Sequence, residues 1–315
     1  MGIRHLNSYM INNCSQGIMK VSFCVLGGCC LAIDASIYMY QYEMQNKLIE
    51  NMTKLVNLFI VNNITPIFVF DGKPPDEKLH TLNVRRKRRI EAFVQCGEIL
   101  EKIQSGDADE DDMNKYESLR KESTRITRDK IESVKNMLTR SGVRYYVACG
   151  EADELCASMV LNGSCWGCVS DDMDMFVYGC NNIIRNVDIH NKSAMVYDLS
   201  LILYELNISY PNFKQVCVLA GTDYNSKMSV SEKSSGLGVS SSPNLYIVFK
   251  MYNRFMKTVK YDNMLFYEWL RHYIKYNVDY DALYKICDMF TINNSEYMSI
   301  AYELDSCNSV YSDKK

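Results

Sequence analysis

Short apolar runs that end on a carboxylate recur along the chain: Leu31–Ile33 before Asp34, Ile67–Phe70 before Asp71, and Trp166–Ser170 before Asp171. Each is too short and too rich in β-branched and aromatic residues for a helix, and predicts a buried strand. Between the first two, over 43–62, Leu48, Met52, Leu55 and Phe59 recur at helical spacing. Alternating strands and helices predict an α/β fold, a central and mostly parallel sheet with helices on both faces. Ligands bind beyond the carboxyl ends of such strands, and this chain puts acids there. The apolar stretch Val21–Ile33 is too short to span a bilayer and starts too late for a signal peptide, so a buried strand explains it better.

Residues 72–140 differ in character, with 16 Lys/Arg, 14 Asp/Glu and few apolar runs. They hold a basic block, Arg85–Arg89, and an acidic one, Asp107–Asp112. The pattern predicts two polar helices joined near the acidic block and projecting from the sheet. From 225 to 243 the chain is Ser-rich, and Leu245–Lys275 returns to aromatic helical patterning. This divides the chain into 1–105 (with an arch over about 72–140), 141–225, a helical region over 226–290 and a tail over 291–315.

Composition narrows the chemistry. A formal charge of −3 excludes a uniformly basic nucleic-acid coat, and 47% hydrophobic residues with 23% charged ones imply a folded core. Four scattered histidines argue against a His-based zinc site. Thirteen cysteines follow no finger spacing, and the single Cys165-Trp-Gly-Cys168 has no second pair. They suit buried thiols kept reduced inside a cell, so the expectation is a soluble intracellular protein, nuclear or at a cytoplasmic replication site, with no membrane partner.

Seven acids fall at element junctions: Asp34, Asp71, Glu151, Asp153, Asp172, Asp174 and Asp223. Any one alone is explained as a helix cap. Seven on one edge of one sheet would repel each other and raise each other's pKa unless something neutralises them. Hard divalent cations such as Mg²⁺ prefer carboxylate and water oxygens. A pair of them suits in-line attack on a phosphodiester.

The motifs Met1-Gly-Ile-Arg-His-Leu6, Ile33-Asp-Ala-Ser36 with Tyr40-Gln41, Val69-Phe-Asp-Gly-Lys-Pro-Pro75, Gly150-Glu-Ala-Asp153, Asp171-Asp-Met-Asp174 and Leu219-Ala-Gly-Thr-Asp-Tyr224 stand in order. Together they resemble the flap endonuclease branch of the structure-specific 5′-nucleases, the xeroderma pigmentosum group G type, over roughly residues 1–225. The resemblance implies a nuclease core with a helical arch and a C-terminal helix-turn-helix type DNA-binding region. It implies a Mg²⁺-dependent monomer (two ions per site, with Mn²⁺ substituting) that cuts DNA bearing a 5′ flap or a free 5′ end. On the matching positions the seven acids would bind metal and Lys78 and Arg85 would contact the scissile phosphate, with Arg88 and Arg89 beside them. Tyr40 would stack on a base, Gly2 would lie near the DNA, and Gly236-Leu-Gly238 would stand where the family grips duplex through K⁺.

Three departures limit the transfer. The segment between Asp34 and Asp71 is short, which predicts a missing wedge and weaker preference for double flaps. Ser-rich sequence surrounds Gly236 and Gly238 in place of basic residues, and Asp153 stands where many relatives have Glu. The C-terminus shows no sliding-clamp docking motif. The Cys-, Tyr- and Asn-rich style resembles versions from large DNA viruses. A 5′→3′ exonuclease of the same superfamily and a non-catalytic DNA-binding scaffold remain open readings of these residues.

Overall fold

The computed structural model describes residues 2–74, 78–225, 243–258 and 264–292. A seven-stranded sheet in the order β1-β7-β6-β5-β2-β3-β4 forms its centre. The strands are β1 (Ile18–Ser22), β2 (Cys30–Asp34), β3 (Thr65–Phe70), β4 (Arg144–Val147), β5 (Gly167–Val169), β6 (Asn182–Asp188) and β7 (Ser193–Asp198). β2 to β6 run parallel to their neighbours, while β7 is antiparallel to β6 and β1 to β7. Successive residues alternate between two cores, as strand geometry requires. Leu31, Ile33, Phe68 and Phe70 face one core; Ala32, Ile67 and Val69 face the other.

Helices α2 (Ala35–Glu43) and α3 (Leu48–Val61) cover the first face. The helix expected over 43–62 therefore starts at Leu48: Asn46 takes a left-handed φ of 54° and the Lys47 N–H closes on the Tyr42 carbonyl, which ends α2 first. Val21–Ile33 is not one strand. It holds the end of β1, a 3₁₀ turn over Phe23–Leu26, a Gly27-Gly28 corner with Gly28 at φ 88°, and β2. Only Phe23 and Leu26 of the turn are buried, Phe23 packing edge-on to Phe59 of α3 at 5.5 Å, while Cys24 and Val25 are exposed.

The polar span contains three helices rather than two: α4 (Leu79–Ser105), α5 (Glu110–Glu122) and α6 (Arg128–Arg140). α4 and α5 form the expected hairpin. Gly106, at φ 82°, ends α4, and Asp109 caps α5 by accepting the Asp112 N–H at 2.8 Å. Most of the acidic block thus serves the start of α5, where the helix dipole favours it. α6 instead joins the sheet, because Val134 and Leu138 make a stripe buried on the α3 side.

On the other face lie α1 (Leu6–Asn13), α7 (Ala152–Leu161), α8 (Asp174–Tyr178), α9 (Leu199–Glu205) and α10 (Tyr210–Ala220). Helices Leu245–Thr258, Phe266–Trp269 (continuing as a π turn to Ile274) and Tyr280–Met289 pack around α10. Buried amides fix this layer: Asn212 accepts the Phe266 N–H and Gln215 the Tyr267 N–H. The Gly236 and Gly238 expectation lies outside the described residues, as does the turn of the supposed helix-turn-helix. Among the described residues no helix is long and apolar enough to cross a membrane.

Candidate active site

Four adjacent parallel strands, β5-β2-β3-β4, deliver acids at their carboxyl ends. Asp34 is the last residue of β2, Asp71 follows β3, Glu151 and Asp153 follow β4 at the start of α7, and Asp172 and Asp174 follow β5. Asp223 arrives from the turn after α10. Local hydrogen bonds hold these loops. The Ser36 N–H donates to Asp34 Oδ1 at 2.9 Å and the Ser36 hydroxyl to Asp71 Oδ2 at 2.5 Å. Asp71 Oδ1 accepts the Ala152 N–H at 2.9 Å, tying the end of β3 to the first turn of α7. The Asp172 N–H donates to Ser170 Oγ, and the Asp174 N–H to Asp172 Oδ1 at 3.1 Å.

The charges behave as one cluster. Burial pushes the Asp34 carboxyl up to about 8, helped by Asp71 and Asp172 and opposed by the Ser36 and Ile37 N–H groups. Burial raises Asp153 strongly, with Asp34, Asp172 and Asp174 adding to it. It does the same to Asp174, where Asp172, Asp223 and Glu151 add and Lys78 opposes. Asp153 Oδ1 and Asp174 Oδ1 are buried with no hydrogen-bond partner among the described residues. A buried carboxylate oxygen without a partner is costly and calls for a ligand.

A basic edge faces these acids from the start of α4. Lys78 Nζ lies 2.7 Å from Glu151 Oε2, an oxygen that also accepts the Tyr224 hydroxyl at 3.1 Å. The Lys78 ammonium stands 4.7 Å over the Tyr224 ring. Burial alone would lower its pKa, but Tyr224, Glu151 and Asp174 reverse this and hold it above the ordinary lysine range. Two turns along, Arg85 Nη2 meets Asp223 Oδ2 at 2.7 Å. Arg89 lies over the Tyr40 ring, 5.8 Å from its centroid, whereas Arg88 is exposed. A cavity of about 370 Å³ opens beside Tyr40 and Asp71, lined also by Phe70, Ile126, Arg128 and Lys135.

Gly2 leaves no room for a side chain beside the acids. A Cβ there would stand 2.6 Å from Asp172 Oδ1 and 2.7 Å from Asp174 Oδ1, so only glycine, here at φ 78°, fits. Cys165 and Cys168 are buried and do not pair. Cys165 Sγ is 3.6 Å from Cys30 Sγ, and Cys168 Sγ is 3.1 Å from Met175 Sδ.

The residues fit hard divalent cations. The donors are carboxylate oxygens, and two of them are buried without partners among the described residues. Among the described residues no three carboxylates already stand together as a ligand set; Glu151 pairs with Lys78 and Asp223 with Arg85.

Residues 1–92 match the XPG N-terminal domain and residues 142–223 the XPG I-region. The chain belongs to the flap endonuclease/XPG superfamily. It is 30% identical over 243 residues to flap endonuclease 1 of Glycine max, and equally to that of Entamoeba dispar, in each case across 71% of this chain and 62% of the relative. The chain thus spans about three fifths of the length of the curated relatives it matches. Among solved superfamily structures it resembles the catalytic core of Rad2 in complex with DNA substrate, with a TM-score of 0.59, 22% identity, and 93% of this chain against 88% of that one. Flap endonuclease-1 from Methanococcus jannaschii gives a TM-score of 0.59 at 21% identity, over 92% and 84%. Both likenesses are of fold, and they match the mixed sheet with helices on both faces.

Ser36 and Tyr224 were not singled out for a role from the sequence, although both sit inside quoted motifs. Their signal was position: a hydroxyl two residues after one acid, and a phenol next to another.

Proposed function

We propose that this chain is a divalent-metal-dependent nuclease that cuts DNA carrying a 5′ flap near its single-strand/duplex junction. The observation that carries the reading is the convergence of seven acids on one sheet edge, two with buried oxygens unpartnered among the described residues, beneath the basic first turns of α4. Asp34, Asp71, Glu151, Asp153, Asp172, Asp174 and Asp223 would hold two Mg²⁺ ions, or Mn²⁺ in their place. Such a pair supplies an activated water and charge stabilisation at the leaving oxygen, giving a 5′-phosphate.

The chain's own residues do the rest. Lys78 and Arg85 leave Glu151 and Asp223 for the reacting phosphate, where they offset developing charge. Tyr40, with Arg89 over its ring, offers a stacking face for an unpaired base. Gly2 keeps the amino-terminal backbone close against Asp172 and Asp174. The α4–α5 hairpin gives a free 5′ strand a path past the site, which favours flaps over blunt ends. The short Asp34–Asp71 segment supports weak dependence on a 3′ flap. Together with the Cys-, Tyr- and Asn-rich composition, it favours a large-DNA-virus source and a monomer working where viral DNA is replicated or repaired.

The test is cleavage of a 5′-labelled single-flap DNA with Mg²⁺, beside nicked and blunt duplex, with Asp174→Ala as control. Release of the flap as one oligonucleotide, lost in the variant, supports the reading. Mononucleotides released mainly from nicks or blunt ends would replace it with a 5′→3′ exonuclease. Flap binding without any cleavage in Mg²⁺ or Mn²⁺ would replace it with a DNA-binding scaffold.

A further inference from the structure

We infer that Arg185 is a positioning residue for the Asp172/Asp174 pair, acting through Asp171 and locked by Asn7 and Tyr197. β6 is otherwise apolar on its buried positions, with Ile183 and Ile184 fully covered, yet Arg185 beside them is only 7% exposed. A guanidinium buried to that degree is costly unless its donors are met. Here Nη2 donates to the Asp171 carbonyl at 2.9 Å and Nη1 to Asn7 Oδ1 at 2.7 Å, while Nε, buried with no hydrogen-bond partner among the described residues, lies 3.9 Å from Asp171 Oδ1 as an ion pair. Asn7 Oδ1 also accepts the Tyr197 hydroxyl at 2.8 Å, and the Tyr197 ring lies 5.5 Å beneath the guanidinium.

Asp171 is therefore an anchor. Its Oδ1 accepts the Asn186 N–H at 2.9 Å and its carbonyl is held by Arg185, so both of these groups face β6. The next residues turn toward the site, and Asp172 and Asp174 are the first acids past the anchor. Asn7 belongs to α1, the helix that follows Gly2, where a Cβ would collide with those same two carboxylates. One buried cation thus clamps the turn bearing the pair to the element that packs on it. Losing a group that hydrogen-bonds a metal ligand typically weakens metal affinity by about 10–100-fold, and Arg185, acting one residue away through Asp171, belongs at the lower end of that range.

The inference rests on the reading that Asp172 and Asp174 hold divalent cations, so its test separates the two. Mn²⁺ is titrated into the purified full chain and followed by electron paramagnetic resonance, alongside steady-state cleavage of flap DNA. Arg185→Ala is expected to raise the Mn²⁺ concentration for half-saturation about tenfold. It should lower kcat with KM for DNA unchanged. Arg185→Lys, which keeps the charge and one donor, should fall between the two. Leu55→Ala, which weakens the core across the sheet, should lower the melting temperature and leave the Mn²⁺ titration alone.

A wild-type Mn²⁺ titration in Arg185→Ala at the melting temperature of Leu55→Ala would overturn the inference. Should Arg185→Ala fail to fold, Tyr197→Phe and Asn7→Ala decide it, an unshifted titration in both being the overturning result. A wild-type chain that binds no Mn²⁺ overturns the metal reading and this role with it. Binding that the variants do not change overturns the role alone.

Discussion

Glu205 and the pair Asp153 and Asp174 are the same functional group in opposite circumstances. Glu205, at the end of α9, accepts the backbone N–H groups of Ser15, Gln16 and Gly17. Its slight burial would raise its pKa, but those hydrogen bonds win and hold it below the ordinary carboxylate range. Asp153 and Asp174 are buried, each has an oxygen without a partner among the described residues, and burial and like charges push both upward. A carboxylate that serves the fold is satisfied by the fold. One left unsatisfied at a cost in stability is kept for something outside the chain.

The largest effect should come from removing a site charge. Asp174→Asn is expected to cut flap cleavage by at least ~10³-fold, equivalent to about 4 kcal/mol of barrier. Its melting temperature should stay level or rise, because a repelling charge has gone; a large fall would mean that Asp174 is a structural acid like Glu205. Lys78→Ala and Arg85→Ala should each lower single-turnover cleavage by ~10²–10³-fold, with flap affinity less affected. Wild-type rates in both would break the assigned roles. Mg²⁺ at about one hundred times its dissociation constant should stabilise the wild type by ~2.7 kcal/mol, seen as a higher melting temperature. Asp174→Asn should show much less of this shift, and an equal shift in both would place the ion elsewhere.

The smallest effect belongs to Glu205→Gln, which should lower the melting temperature at pH 7 and leave cleavage intact. A carboxyl whose folded pKa is depressed contributes stability above its unfolded pKa of about 4.3 and loses it as pH falls through the lower folded value. The gap between wild type and Glu205→Gln should therefore narrow below about pH 4 and close in stronger acid. A gap that persists there would point to shape rather than charge at this position.

The strand-ending acids were legible because a parallel strand is a short apolar run and its carboxyl end is where the chain turns polar. Asp34, Asp71 and the Asp172/Asp174 turn could be placed on one edge from that pattern alone. Val21–Ile33 was misjudged because an apolar run need not be one strand: here a 3₁₀ turn that buries only Phe23 and Leu26 interrupts it, with Val25 apolar and exposed. α6 was hidden in a charged span because a two-residue stripe of Val134 and Leu138 is faint beside the Lys, Arg, Asp and Glu around it. Cys165 and Cys168 read as buried thiols and are buried and free, but that Cys165 meets Cys30 from the neighbouring strand was not legible. Arg185 carried one signal, a lone cation in an apolar strand, which says that a partner exists and not which one.

What the sequence determined by itself was local: which segments are strands and helices, where acids and cations fall at their ends, and the order of six motifs. Those follow from periodicity and turn chemistry within a few residues of each other. Only the tertiary structure decided that Lys78 meets Glu151, that Arg85 meets Asp223, and that Asn7, Arg185 and Tyr197 close on Asp171. These contacts join residues up to 190 positions apart. Such pairings arise when strand order and helix packing bring distant turns to one edge, and no short-range pattern encodes them.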